Sequence, residues 1–311
     1  IKDGFYGTIP ELSAIQDVDK LVELPISEAA SIGLVTGASI FEVKPIICFQ
    51  RVEFALLALD QLVTNSSKLN FLTNEKLSVS FLLRLVVGRG WGQGPCHSQS
   101  FETLWNIIPG LKVFMPANSS DYLECFEYFR NSKEPIICLE HRWTHLADFS
   151  TELGFVNNKS EATIYSYSYN SFYTTWIAKK LAKEGIFIDV IHENCLFSKE
   201  SEFIESIKKT KRLLTCDLSF SRLGISSEII CNCVKNNVLF EVSPVRISCP
   251  FTFAPARPEE AFKYFPNAYS IVNGLIKLLP ERKEILTKIL KDLETNYQDT
   301  PSDIPSSSFK G

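Results

Sequence analysis

The stretch GRGWGQGPCHSQS, residues 88 to 100, places His97 just after a loop holding four of the chain's fourteen glycines. Glycine lets backbone come close to a ligand or to another segment with no side chain in the way. A histidine on such a loop can hydrogen-bond a substrate carboxylate or phosphate, or move a proton during a reaction. Phosphate is the usual partner of a glycine-rich turn that follows a strand. This loop, however, matches neither GxGxxG with a downstream acid nor the GxxxxGK pattern followed by Ser or Thr. Taken alone, it reads equally well as a structural turn. A second chemical group is Glu28 of PISE, at the start of a small-residue, apolar segment. A carboxylate in the first turn of a helix is stabilised by the N–H groups exposed there, as a plain capping acid or as an acid–base group. His141 and Arg142 in LEHRW close an apolar run, where α/β proteins gather binding groups.

These residues need elements to position them. SEAASIGLVTGASIFEV, 27 to 43, reads as a helix with Ser27 as N-cap, and Ala29, Ala30, Gly33 and Gly37 allow close packing against it. KPIICF reads as a short strand, EFALLALDQLVTNSSKL as a second helix, and VSFLLRLVV as a strand covered on both faces. After the glycine loop come a short helix (SFETLWNII), a strand (LKVFMPA), a capped helix (SSDYLECFEYFRNS) and a strand (PIICLE). LADFSTELGFVNNKS, 146 to 160, reads as a linker. A second alternation follows, with strands in ATIYSYS, IFIDVIH, RLLTCDL and VRISC and helices in FYTTWIAKKLAKEG, KESEFIESIKKT and SSEIICNCVKN. Alternating strands and helices predict two doubly wound α/β domains, 1–145 and 161–290. The polar, Pro- and Ser-rich end, 291–311, reads as a flexible tail.

With 311 residues, a net charge of −4, 45% hydrophobic and 22% charged residues, the chain is a normal globular protein with no basic face for nucleic acid. No apolar run is long enough to cross a bilayer, and no signal-peptide pattern opens the chain. Because it starts at Ile1 and not at Met, a preceding segment is expected. Nine cysteines lie scattered in apolar runs without paired CxxC spacing, so reduced, buried thiols in the cytoplasm are expected. Within CNC, 231–233, one cysteine should face solvent and one the core.

Four segments occur in order: LPISEAASIGLVTGASIFEVKPII, RVEFALLALDQ, GQGPCHSQSFETLWNIIPGLKVFMPANSSD and PIICLEHRW. Together they resemble the β subunit of thiamine-diphosphate-dependent 2-oxoacid dehydrogenases of the pyruvate type, and more widely the transketolases. KKTKRLLTCD and GISSEIICNCV extend the resemblance, more loosely, over the second half. It implies a transketolase-like pyrimidine-binding domain followed by a transketolase C-terminal domain. It also implies a role for Glu28 as the acid that hydrogen-bonds the thiamine pyrimidine, driving the imino form that takes a proton from the thiazolium carbon. Phe54 falls on the family aromatic that stacks on the pyrimidine, and Gln50 is placed with it as cofactor-binding. His97 falls on the family histidine facing the substrate side, which makes the glycine loop a wall beside the cofactor's reactive end. His141 and Arg142 are candidate substrate or interface residues; His145 and His192 are given no role.

The family motif for the Mg²⁺-bound diphosphate, GDG with a downstream Asn, does not occur in the sequence. Such dense negative charge needs a metal with oxygen ligands, so the resemblance implies that Mg²⁺ and diphosphate sit on a separate α subunit and that no metal is held here. The expected assembly is an α₂β₂ heterotetramer, with a lipoyl acyltransferase as a further partner and a small 2-oxoacid as substrate. Three features depart from the family: Cys96 replaces the usual Gln, NFLTNEKLSVSF lacks a glycine-rich turn, and IHENCLFSKE replaces a more regular stretch. Three functions stay open: decarboxylation of a 2-oxoacid with acyl transfer, transfer of a two-carbon ketol unit by a split transketolase, and a non-catalytic scaffold.

Overall fold

The computed structural model describes residues 20–90, 92–145 and 152–297. Residues 1–19, Trp91, the first part of the expected linker (146–151) and the end of the expected tail (298–311) lie outside the described residues.

Each half is a four-stranded parallel sheet with helices. The first sheet orders as β1 (Ile46–Phe49), β2 (Leu82–Val87), β4 (Ile136–His141) and β3 (Lys112–Phe114). The second orders as β6 (Ile188–Glu193), β5 (Ala162–Tyr167), β7 (Leu213–Phe220) and β8 (Val245–Cys249). The central strands β2, β4, β5 and β7 are buried along nearly all their length, and the edge strand β6 completely, which is why their sequences run apolar instead of alternating. All eight strands coincide with segments named from sequence, β4 and β6 running one residue past them and β7 two.

α1 (Glu28–Ile40) starts one residue later than expected, with Ser27 at its N-cap but making no side-chain cap bond. The segment expected as the next helix takes another form. It runs as a 3₁₀ turn over Val52–Ala58, then as a wide π-type turn over Gln61–Ser66. The widening has a local cause. The Ser66 hydroxyl reaches back to the Gln61 carbonyl (3.0 Å) and pairs with Thr36 Oγ1 of α1 (2.7 Å), which a regular turn would not allow. α2 (Glu102–Asn106) follows the glycine loop, and α3 (Ser119–Asn131) is capped by Asn118 and Asp121 in a reciprocal pair. Lys44 ties the far end of α3 down, donating to the carbonyls of Phe129 (3.1 Å) and Ser132 (2.7 Å) and to Ser80 Oγ (3.3 Å). Cations are favoured at this end of a helix.

The second half adds α4 (Asn170–Lys183), α5 (Glu200–Thr210), α6 (Ile225–Lys235), α7 (Pro258–Tyr264), α8 (Ala268–Leu278) and α9 (Lys283–Asn296). α9 buries Leu286, Ile289 and Leu293, so ordered structure continues past the expected domain end at 290, into the stretch read as tail. Polar faces and a short loop had hidden that amphipathic helix. In α6, Cys231 is exposed and Cys233 buried, as CNC suggested.

The two halves are joined by backbone as well as side chains. Beyond β3, Met115 N–H bonds Asn194 O (2.8 Å) and Leu196 N–H bonds Val113 O (3.1 Å), an antiparallel clasp between the ends of β3 and β6. Asp121 accepts a hydrogen bond from His192 Nε2 (2.9 Å), and its carbonyl accepts one from Asn194 (3.0 Å). His192 is therefore a seam residue. The apolar core runs across the seam as one cluster.

Candidate functional site

The π-type turn and α1 lie side by side in one direction, Gly33 facing Gln61 and Thr36 bonding Ser66. Glu28 stands in the first turn of α1, and Phe54 lies on the 3₁₀ segment that precedes the π-type turn. Glu28 is half-exposed in the single chain, and so is Phe54. Gln50 is exposed at the end of β1.

The glycine loop brings His97 to Phe54. Gly90, Gly92 and Gly94 hold φ of +65°, +80° and +51°, backbone conformations that side chains disfavour. A Cβ on Gly94 would stand 3.2 Å from Ala256 Cβ and 3.5 Å from Ala254 O, so the loop's close approach is to the second domain. The turn ends in His97, whose ring meets Phe54 edge-on at 5.4 Å between centroids. His97 Nδ1 also lies 3.4 Å from Glu53 Oε2, while Glu53 Oε1 accepts the Gln99 amide at 3.3 Å. Burial pushes the Glu53 carboxyl up, and the Gln99 amide and His97 pull it back. Sequence reasoning passed over Glu53. A lone acid on an amphipathic segment reads as solvated, and only the folded loop shows its partner.

Of the expected residues, the structure brings Phe54 and His97 into contact; Glu28 stands in the first turn of α1 and Gln50 at the end of β1. His141 and Arg142 are placed differently. His141 is buried, its Nδ1 accepting the Trp143 amide (3.2 Å) and its ring lying 4.4 Å from that of Tyr169 in the second domain. Burial and the nearby Arg89 charge hold its imidazole well below the usual range, so it stays neutral. With Gly88, Ser98, Gln99, Leu218 and Phe265 it lines a cavity of about 10 Å³, room for one water. Arg142 begins the helical turn Arg142–His145 and is partly exposed.

Beneath the loop lie two acids that sequence reasoning also missed. Glu102 is fully buried, accepting from Ser100 and from Tyr167 OH (2.8 Å), and burial raises its carboxyl. Tyr167 OH in turn accepts the Leu218 amide (3.2 Å). Asp217 accepts the Ser226 amide (2.9 Å) and hydroxyl, and is pushed up to about 7, chiefly by burial. Behind them Arg89 is buried, donating to Tyr173 OH (2.7 Å) and stacking on Tyr169. These groups brace the loop from within.

One surface next to the site is apolar and uncovered. Along α1, Ala30, Gly33, Leu34, Gly37 and Phe41 fall on one stripe opposite the buried Ile32, Val35 and Ser39. Leu34 and Phe41 are 56% and 82% exposed, and Leu57 on the neighbouring segment is 67% exposed. Among the described residues, no helix is long and apolar enough to cross a membrane.

Residues 1–144 match the transketolase pyrimidine-binding domain family, and residues 153–270 match the transketolase C-terminal domain family. Among curated proteins, the chain is 26% identical over 242 residues to pyruvate dehydrogenase E1 component subunit beta-2, mitochondrial, of Oryza sativa subsp. japonica, covering 73% of this chain and 64% of the relative. The match to the rice beta-1 subunit covers 65% of that protein, so in both the chain spans just under two thirds of the relative's length. It is 25% identical over 273 residues to the acetoin:2,6-dichlorophenolindophenol oxidoreductase subunit beta of Cupriavidus necator, covering 84% of this chain and 81% of that one. Among solved structures, a split gene transketolase, described as an inactive beta4 tetramer, superposes with a TM-score of 0.69 at 16% identity over 90% of each chain.

Proposed function

The chain belongs to the transketolase-type family, as a pyrimidine-binding domain followed by a transketolase C-terminal domain, and from that premise we propose that it is the β-type subunit of a thiamine-diphosphate-dependent enzyme that decarboxylates a 2-oxoacid and transfers the acyl unit. The observation that supports the reading is the meeting of Phe54 and His97 from separate segments, edge-on at 5.4 Å, in a chain whose α1 carries Glu28 in its first turn and an apolar stripe that is exposed among the described residues. A carboxyl group, an aromatic ring and an imidazole form a donor set suited to a flat heterocycle with a ring nitrogen. Thiamine diphosphate, when bound, supplies the carbon nucleophile and electron sink that this chemistry requires.

Glu28 would hydrogen-bond the pyrimidine nitrogen and hold a proton there. Phe54 would lie against the ring, with Gln50 at its margin. His97 would hydrogen-bond the substrate carboxylate or move a proton at the reacting carbon. In the single chain Glu28 is half-exposed, on the same helix as the exposed apolar stripe. An α subunit seated on α1 would bury both at once, strengthen the Glu28 hydrogen bond by excluding water, and bring the Mg²⁺ and diphosphate site. An α₂β₂ heterotetramer, with a lipoyl-bearing acyltransferase downstream, completes the proposal. Its nine free thiols suit a reducing compartment.

The test is co-expression with a companion chain carrying GDG and a downstream Asn, followed by assays on pyruvate, branched-chain 2-oxoacids and ketose phosphates. Turnover of 2-oxoacids that needs both chains, and that Glu28→Gln abolishes while leaving folding and assembly intact, is expected. Turnover of ketose phosphates alone would assign ketol transfer instead. Normal turnover in the Glu28→Gln variant would remove the role given to that acid.

A further inference from the structure

We propose that Glu53 is a positioning residue for His97, fixing its imidazole with the hydrogen on Nδ1 so that Nε2 carries the lone pair. One carboxylate grips the loop at two points. Oε2 faces His97 Nδ1 at 3.4 Å, and Oε1 accepts the Gln99 amide at 3.3 Å. A carboxylate can only accept, so the hydrogen between Glu53 and the imidazole belongs to Nδ1. In the neutral ring that leaves Nε2 as the basic nitrogen. The Phe54 ring meets the imidazole edge-on, at 68° between planes, which limits its rotation from another side. The contact is sheltered, with Glu53 12% and His97 27% exposed. The other charged group of this segment, Arg51, turns elsewhere, donating to Gln93 Oε1 (3.4 Å) and to the Gln50 carbonyl (2.8 Å). Adjacent residues of the 3₁₀ segment thus serve two ends: Phe54 faces the ring as an apolar wall, and Glu53 sets which nitrogen can act. Adjacent side chains on a 3₁₀ turn point about 120° apart; it is the loop, carrying the imidazole in against the segment, that lets one ring meet both.

This inference rests on the reading of His97 as a substrate-side group, and its test separates the two. In the full chain, isotope-labelled on histidine, the long-range nitrogen–proton spectrum of the rings reports which nitrogen is protonated, and His97 is assigned by loss of its signals in His97→Ala. The parent is expected to show hydrogen on Nδ1. Glu53→Gln keeps an acceptor oxygen and should keep that pattern, whereas Glu53→Leu should shift His97 toward hydrogen on Nε2. In the reconstituted complex, Glu53→Leu is expected to lower kcat about tenfold with KM changed less than about twofold, and Glu53→Gln to recover most of the loss. Hydrogen on Nε2 in the parent, or the same tautomer in parent and Glu53→Leu, overturns the proposal. Should Glu53→Leu fail to fold, the parent and Glu53→Gln spectra still decide it. A complex with no 2-oxoacid turnover but with hydrogen on Nδ1 would refute the functional reading and uphold the placement of Glu53.

Discussion

Replacing Asp217 by Asn should change how the protein's stability responds to alkali. The carboxyl is fully buried on β7, where loss of hydration pushes it up to about 7, the nearby Glu102 adds to the rise, and the Ser226 amide and hydroxyl oppose it. An Asp in an unfolded chain titrates near ~3.9, so the difference is roughly three pKa units, or about 4 kcal/mol. Below about pH 4 both states carry the proton and the buried acid costs nothing. Between about pH 4 and pH 7 the unfolded chain ionises while the folded one keeps its proton, so stability falls as pH rises, and the full penalty applies above that range. An Asn still accepts from Ser226, but its amide hydrogens enter a site where Asp217 Oδ1 has no hydrogen-bond partner among the described residues. That costs about 1–3 kcal/mol at every pH. The Asp217→Asn variant should therefore be less stable than the parent in acid and more stable in mild alkali, with the curves crossing near about pH 5–6. Urea unfolding of both proteins across that range measures the difference. Because Glu102 raises Asp217, the difference between the curves reports Asp217 together with its coupling to Glu102. Parallel curves would refute the reasoning.

Gly110→Ala should prevent stable folding, because at φ +83° its Cβ would sit 2.1 Å from the Ser67 carbonyl oxygen, a clash of backbone with backbone; recovery of soluble chain with parental urea stability would contradict it. Lys44→Met should cost about 1 kcal/mol in urea unfolding by leaving the end of α3 without its cation, discounted for the exposure of the side chain. His97→Ala in the assembled complex should lower turnover more than it weakens cofactor binding measured by calorimetry; the opposite ordering would make His97 a structural residue.

Much of the frame was legible because buried parallel strands announce themselves. PIICLE and RLLTCDL have no solvent face and so no alternation to obscure. Glu28, Phe54 and His97 were found by their place in ordered motifs, and the fold brings Phe54 and His97 into contact. What stayed hidden depends on contacts distant in sequence. The spacing at 54, 56, 57, 59 and 63 is helical, and nothing local says that Ser66 will be drawn to Thr36 and widen the turn. The glycine loop could be read as making a close approach, but not that Ala254–Ala256 would be what it approaches. Glu53 and Glu102 look like surface acids until the loop folds against its partners, and Asp217 sits in a strand read for its apolar run, where nothing local shows its bond to Ser226. α9 was missed because its end runs directly into a polar terminus.

The clasp between Met115 and Asn194 bears on how the chain is made. The first sheet is complete in sequence at His141, yet the far side of β3 gains its backbone partners only once residues to 196 exist. At ~5–20 residues per second, the intervening stretch of about fifty residues keeps a nascent strand edge open for some seconds. A ribosome-bound first half is therefore an aggregation hazard that the rest of the chain must resolve. Expressing the halves separately would make that exposure permanent.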